Sequence, residues 1–213
     1  MKKIVSIFSL SLLFLVTGCS NDRQNNSTGT SSSSQTSNSV ESTQEVPDSS
    51  HGENETETSH IAIIYYSLTG TTEAVAQEIQ AQTNGDLFAL QTVEAYPENY
   101  SAVADLVQQQ QDDGEFPELQ PLEVDLSAYE TIFIGSPIWF GSSSLPLQQW
   151  LMQNDLSGKT VYPFFTSGSS GIASAMTEIE NLISPQTLVP GLGINDETID
   201  ETPQLVASWL AEN

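Results

Sequence analysis

Short apolar runs and longer amphipathic segments alternate along the chain from residue 60 onward. The apolar runs have the length of buried strands, and the amphipathic segments have helical spacing. Strands are predicted at residues 61–66, 87–91, 131–135, 161–165 and 187–189. Helices are predicted at residues 72–82, 100–111, 145–152, 171–182 and 203–211. This alternation predicts an α/β domain with a parallel sheet covered by helices on both faces.

The last predicted helix carries clear end signals. Thr202 is expected as its N-cap and Pro203 at the first helical position. Its apolar face comprises Leu205, Val206, Trp209 and Leu210. Trp209, like Trp150 in the third helix, is expected in the core.

Pro163 fits badly within the fourth predicted strand. A proline removes one N–H from the sheet, so it is rare in central strands. The sequence therefore predicts a strand that is interrupted at Pro163, or one that begins elsewhere.

The N-terminal 18 residues predict a signal peptide. Lys2 and Lys3 precede an apolar segment, residues 4–16, that is too short to span a bilayer. The segment ends in Val16-Thr17-Gly18-Cys19, which resembles the lipobox of bacterial lipoproteins. That resemblance implies cleavage before Cys19, which is acylated and becomes the mature N-terminus, giving a protein anchored to the extracytoplasmic face of a bacterial membrane. An ordinary signal peptide or a short anchor helix with an incidental cysteine is the alternative.

Residues 19–59 are rich in Ser, Thr, Asn, Gln and Glu and contain almost no large apolar residue. Such a segment buries too little surface to offset its chain entropy, so a disordered tether is predicted. A flexible segment of this length has an r.m.s. span of about 35 Å. Because Cys19 is the only cysteine, the remaining chain has no disulfide, no thiol nucleophile and no cysteine metal site.

Residues 60–213, predicted to form one domain, are strongly acidic. Seven of the 28 acidic residues precede position 60, and Lys159 is the only later Lys or Arg, so the domain carries about −20 charges. This field disfavours nucleic acid and anionic lipid, and it favours a basic protein partner. The alternative is that the charge serves only solubility.

Three unusual loops follow predicted strands. In an open doubly wound sheet, ligands bind beyond the carboxyl ends of the strands, where the strand order reverses. The loops there span residues 67–72, 136–144 and 166–170. Their coincidence at one edge predicts a ligand site.

The first loop is rich in hydroxyls and contains no Lys or Arg. It lacks the Gly-Lys-Ser/Thr of a P-loop and the G-x-G-x-x-G of a dinucleotide site, yet amides at a helix start can hold a phosphate. In the second loop, the adjacent Trp139 and Phe140 favour a flat stacking ligand. The third loop has small residues that allow close backbone approach. For the first loop the alternative is a plain N-capped helix start, and for the third it is a generic polar loop. For the second loop the alternative is that one aromatic residue is buried and the other covers the next helix.

Four stretches in this order resemble flavodoxins, over residues 61–213. Tyr65-Tyr66-Ser67-Leu68-Thr69-Gly70-Thr71-Thr72 is similar to the family's FMN phosphate loop. Tyr96-Pro97-Glu98-Asn99-Tyr100, Gly135-Ser136-Pro137-Ile138-Trp139-Phe140-Gly141 and Gly158-Lys159-Thr160-Val161-Tyr162-Pro163-Phe164 resemble a bacterial flavodoxin-like subgroup, which tends to carry proline at position 163. The resemblance implies a five-stranded parallel sheet of order 2-1-3-4-5 and bound FMN. Thr71 stands where the family usually has Asn.

The resemblance also assigns roles by position. The phosphate would be held by Ser67, Thr69, Gly70, Thr71 and Thr72. The isoalloxazine would be flanked by Pro137, Ile138, Trp139, Phe140 and Gly141, and its pyrimidine edge would contact Thr166, Ser167 and Gly168. No metal site and no catalytic residue are expected.

Three functions remain open from the sequence. The first is a membrane-tethered electron carrier that passes electrons to a basic redox protein or a small acceptor. The second is an FMN-dependent NAD(P)H oxidoreductase acting on quinone or a similar small acceptor. The third is a flavin-free binding or adaptor lipoprotein.

Overall fold

The computed structural model describes residues 60–213, where strands and helices alternate as the sequence predicts. The strands are β1 Ile61–Tyr65, β2 Asp86–Ala89, β3 Thr131–Trp139, β4 Ser142–Ser143, β5 Thr160–Ser167, β6 Thr187–Leu188 and β7 Leu192–Asn195. The helices are α1 Thr71–Thr83, α2 Tyr100–Asp113, α3 Leu145–Gln153, α4 Ala173–Leu182 and α5 Thr202–Glu212. The predicted signal peptide (1–18), lipidated Cys19 and tether (19–59) lie outside the described residues.

The strands form one sheet with the order β2-β1-β3-β5-β6, and β7 also pairs with β5. All these pairs are parallel, and only the short β4 runs antiparallel, against β3. Since β6 and β7 follow one another along the same side of β5, they occupy one position in the sheet. The predicted doubly wound order 2-1-3-4-5 is therefore confirmed.

Helices cover both faces of the sheet because buried side chains alternate along each strand. From β1, Ala62 and Ile64 face α2, α3 and α4 in one apolar cluster. Ile63 and Tyr65 face α1 and α5 in the other. The predicted apolar face of α5 is confirmed, and both Trp150 and Trp209 lie in the core as expected. Within residues 60–213, no helix is both long and apolar enough to cross a membrane.

The prediction of a strand interrupted at Pro163 was wrong. β5 continues through this residue, and the interruption lies on the neighbouring side, between β6 and β7. Val161 accepts a hydrogen bond from the Val189 N–H of the β6 side at 2.9 Å. Along a strand, the backbone N–H and C=O groups of residues two apart point toward the same neighbouring strand. The backbone of Pro163 therefore also faces β6 and β7. Its position falls between the residues paired to β6 and those paired to β7. The missing N–H of Pro163 thus faces the gap between the two short strands, and the sequence pattern missed β7.

Residues 136–144 were predicted as a loop, which was also wrong, since they form a β-hairpin. β3 extends to Trp139 and pairs with β4. Phe140 and Gly141 form the turn, with φ of 50° and 82°. Positive φ at both central residues is typical of a type I′ hairpin turn, which usually contains Asn-Gly. Pro137 is tolerated in β3 because, like Gly135, it faces the β1 side, where β1 has already ended.

Three helix starts also differ from the prediction, and α1 begins one residue early, at Thr71. α5 begins at Thr202, with Glu201 in the capping position, so Pro203 is the second helical residue rather than the first. α4 begins at Ala173, two residues later than expected. Each change leaves the buried face of its helix in place.

Candidate functional site

The three predicted loops meet at the carboxyl ends of β1, β3 and β5. The first and third are joined by a buried hydrogen bond of 2.7 Å between the Thr72 and Thr166 hydroxyls. Just before the first and second loops, the Tyr66 N–H donates to Gly135 O at 3.0 Å, which holds the starts of the two loops side by side. The Tyr66 ring also packs edge-on against Trp139, with centroids 5.7 Å apart. The β1/β3 boundary is where the strand order reverses, so the loops surround the place where ligands bind in this architecture.

The first loop ends in an uncapped helix. Gly70 precedes α1 with φ of 90°, and no side chain within residues 60–213 caps the first turn with a hydrogen bond. The first helical bond is the one from the Ala74 N–H to Gly70 O. In contrast, the Asn99 side chain caps α2 by accepting from two backbone N–H groups. The first turn of α1 therefore presents free N–H groups and the positive end of the helix dipole, as a phosphate site requires.

Hydroxyl groups surround this helix start. Ser67 Oγ accepts from the Gly70 N–H at 3.1 Å, which shapes the turn. Thr69 and Thr71 are exposed, and their hydroxyl oxygens lie 3.3 Å apart. A Cβ on Gly70 would meet no atom within 4 Å, so the space above the turn is open. The alternative of a plain N-capped helix start is not what the structure shows.

The donors at this site carry no formal positive charge. Lys159, the only Lys or Arg in residues 60–213, precedes β5 at the opposite edge of the sheet. Its ammonium donates to Leu126 O at 2.8 Å and Tyr129 O at 2.6 Å. Glu73 lies in the first turn of α1. Burial, and then the Glu73 carboxylate, raise the pKa of the Tyr65 hydroxyl.

The second loop supplies an aromatic wall. Trp139 is partly buried and lies 5.0 Å from Tyr96, centroid to centroid, as well as against Tyr66. Burial raises the pKa of both tyrosines, that of Tyr96 to about 12. Both therefore remain neutral at physiological pH. The tyrosine rings are inclined to the Trp139 ring by 81° and 60°, so they support Trp139 edge-on, and the flat ring available for stacking is that of Trp139 itself.

The next aromatic residue, Phe140, occupies a different environment. Its side chain is 57% exposed on the hairpin turn. Together with α2 residues that include Ala104 and Asp105, it lines an open groove of about 450 Å³. The alternative of one aromatic buried and the other covering the next helix thus holds in part, since Trp139 is partly buried and Phe140 stays largely exposed.

The third loop is built from the end of β5 and the residues after it. Thr166 is only 3% exposed, and its hydroxyl is occupied by Thr72. Ser167 Oγ donates to Ser170 O at 2.7 Å. Gly168 O accepts from the Asp196 N–H at 3.4 Å, in the segment that follows β7. The Asp196 carboxylate adds another negative charge beside the loop.

The sequence located the main site elements and missed others. All thirteen predicted residues lie at the carboxyl edge of the sheet, in the first turn of α1, the end of β5, the β3–β4 hairpin or the loops beside them. The hydroxyls of Thr72 and Thr166 point to each other, so these two residues offer a ligand mainly backbone groups. Tyr66 and Tyr96 were not among the predicted site residues. The sequence signal that could have identified these two tyrosines is an aromatic residue within or beside each of two otherwise polar loops.

Comparisons with known proteins agree with this architecture. A family model described as Flavodoxin matches residues 60–213. A flavoprotein structure from Bacteroides uniformis is 25% identical, covering 69% of this chain and 97% of that chain, with a TM-score of 0.57. A Lactobacillus acidophilus flavoprotein in complex with FMN is 24% identical, covering 66% of this chain and 96% of that chain, with a TM-score of 0.54. No curated protein matches significantly. Because the family model covers most of the chain, this protein belongs to the flavodoxin family.

Proposed function

We propose that this protein binds FMN at the β1/β3 boundary and acts as an electron carrier tethered outside the cytoplasmic membrane. The observation that carries the proposal is the uncapped start of α1, ringed by hydroxyls and facing an aromatic wall. Membership of the flavodoxin family supports FMN as the cofactor. Bound FMN supplies reversible uptake and release of one or two electrons.

Each group of residues has a distinct task in this proposal. The first-turn N–H groups of α1 and the hydroxyls of Ser67, Thr69 and Thr71 hold the phosphate. Trp139 flanks the isoalloxazine ring and excludes water from one side of it. Backbone groups of Ser167 and Gly168 hydrogen-bond its pyrimidine edge. All of these donors are uncharged, and they sit in a strongly negative domain. We therefore expect a low potential for the second one-electron reduction, which adds negative charge.

The proposed location depends on the N-terminus. Residues 1–18 would direct export, Cys19 would carry the lipid, and residues 19–59 would let the domain sample the membrane surface. Labelling cells with a fatty-acid probe tests this directly. We expect the wild-type protein to be labelled and membrane-bound, and Cys19→Ser to be neither. Labelling that survives Cys19→Ser would contradict the anchor.

Flavin binding is tested by titrating the flavin-free protein with FMN and with riboflavin, which lacks the phosphate. We expect FMN to bind at least about 100-fold more tightly than riboflavin, because several N–H groups and hydroxyls serve only the phosphate. Gly70→Ala should weaken FMN because Ala resists φ of 90° and shifts the turn. Gly158→Ala is the matched control, because it has φ of 77° and lies before the amino-terminal end of β5, at the opposite end of the sheet from the site. Equal affinity for both flavins would refute the phosphate site.

Electron transfer is tested with the reduced holoprotein. A basic haem protein should be reduced rapidly at low salt and more slowly as salt is added, since the negative domain attracts it. The lack of Lys and Arg at the site disfavours a nicotinamide nucleotide as donor. We therefore expect no direct oxidation of NADH or NADPH. Rapid oxidation of either nucleotide would favour the FMN-dependent oxidoreductase. A protein that does not bind FMN would favour the flavin-free adaptor lipoprotein.

A further inference from the structure

Outside the site residues, one polar cluster is centred on the second strand of the aromatic hairpin. Ser143 lies in β4, directly after the Phe140-Gly141 turn, and it is completely buried. Its N–H donates to Glu178 Oε2 at 2.9 Å, and its hydroxyl donates to the same oxygen at 2.6 Å. Its carbonyl accepts from Gln148 Nε2 at 2.7 Å. Every polar group of Ser143 is thus bound by a side chain from a helix.

Glu178 is the only charged partner in this cluster. It lies on α4, 35 residues from Ser143 in the chain, and is partly buried. Hydrogen bonds to a carboxylate are about twice as strong as those between neutral groups. A two-residue strand has too few ladder bonds to hold its own position. The Glu178 carboxylate therefore fixes β4 against the body of the domain.

Through β4, the same contact reaches Trp139. Ser142 pairs with Trp139, and Ser143 pairs with Ile138, across the hairpin. On the first strand, Ser136 Oγ accepts from the Ser144 N–H at 3.1 Å, which closes the base of the hairpin. The rings of Tyr66 and Tyr96 contact the Trp139 side chain, with centroids 5.7 and 5.0 Å away. Its backbone pairs with β4, and Glu178 supplies the partner of both Ser143 donors, beside the bond from Gln148 to the Ser143 carbonyl.

We propose that Glu178 is a positioning residue for the flavin, which it serves by holding Ser143 and thereby setting the Trp139 side chain against the ring. This inference rests on the proposed function. Glu178 acts on the ligand only through the hairpin. Its removal leaves two buried donors of Ser143 without a partner, and the hairpin then moves to give them water.

The test compares substitutions at Glu178 by FMN affinity and by amide hydrogen exchange of residues 138–145. In Glu178→Ala we expect FMN to bind at least about tenfold more weakly, since one lost anchoring group is worth about that factor. The flavin-free variant should also exchange these amides faster than wild type. Glu178→Gln should restore most of both properties, because both bonds reach a single oxygen that the Gln amide can replace.

Two controls separate positioning from general loss of stability. Glu180→Ala changes an exposed carboxylate on the same helix and should alter neither readout. Val206→Ala weakens the core on the other face of the sheet and should lower stability while leaving FMN affinity unchanged. An unchanged FMN affinity in Glu178→Ala would overturn this inference alone. So would an equal loss of FMN affinity in Val206→Ala, or a failure of Glu178→Gln to restore that affinity. Failure of the wild-type protein to bind FMN would instead refute the proposed function, and this inference with it.

Discussion

The hydrogen bond between Thr72 and Thr166 gives a sharp test of how the loops are joined. Both hydroxyls are buried, with the residues 1% and 3% exposed, and they lie 2.7 Å apart. Replacing one Thr by the isosteric Val leaves the other hydroxyl buried without a partner, which costs about 2 kcal/mol. Replacing both removes both unpaired groups, so the double variant should lose less than about 1 kcal/mol. The two changes should therefore be strongly non-additive.

The assay is urea unfolding of the flavin-free protein, read as a change in midpoint at constant slope. Thr177→Val is the control, because its exposed hydroxyl bonds only to Ala173 O within α4. It should change the free energy of unfolding by less than about 0.5 kcal/mol. The double variant should also keep FMN affinity within a few-fold, since Thr72 and Thr166 offer the ligand mainly backbone groups. A double variant destabilised by the sum of the single changes would refute this account of the loops.

Three further predictions follow from particular contacts. A Cβ on Gly135 would clash with the Phe164 ring, so Gly135→Ala should cost about 3 kcal/mol in urea unfolding. A loss as small as that of the control Gly171→Ala, whose Cβ would meet open space, would contradict the packing. Phe140→Asn should raise the free energy of unfolding by about 1 kcal/mol, because Asn tolerates the positive φ of this position better than Phe. A lower melting temperature would contradict a strained turn at Phe140. Burial raises the pKa of Tyr96 from 10.0 to about 12. The stability that neutral Tyr96 contributes to the fold is therefore complete below pH 10 and is lost as the pH approaches 12. The same alkaline loss of stability in Tyr96→Phe would contradict this assignment.

The sheet was predictable because each buried strand is a local apolar run. All five positions in the sheet were located from such runs, and the carboxyl-end rule then placed the three loops together. The two prolines misled the prediction for a non-local reason. Pro137 faces the side where β1 has ended, and Pro163 faces the gap between β6 and β7. Whether a strand tolerates proline depends on what its neighbour does, which one chain segment cannot reveal.

The hairpin was missed because its turn lacks the usual sequence. A type I′ turn is normally recognised by Asn-Gly, and here Phe140 takes the first position at positive φ. The partners within the site were equally hidden. Thr72 and Thr166 are 94 residues apart, and Ser143 and Glu178 are 35 apart. Hydroxyl-rich loops indicate that donors are present, but only the fold decides which of them pair together and which remain for a ligand.

The absence of basic residues at the site leads to an unusual prediction about salt. FMN brings a phosphate dianion to a domain of about −20 charges, with Glu73 in the first turn of the helix that receives it. Repulsion extends about 30 Å in 0.01 M salt but only about 8 Å in 0.15 M salt. FMN affinity should therefore rise a few-fold between these concentrations, whereas that of uncharged riboflavin should stay constant. A phosphate held by cations would behave in the opposite way, so FMN affinity that falls with added salt would show that attraction outweighs this repulsion.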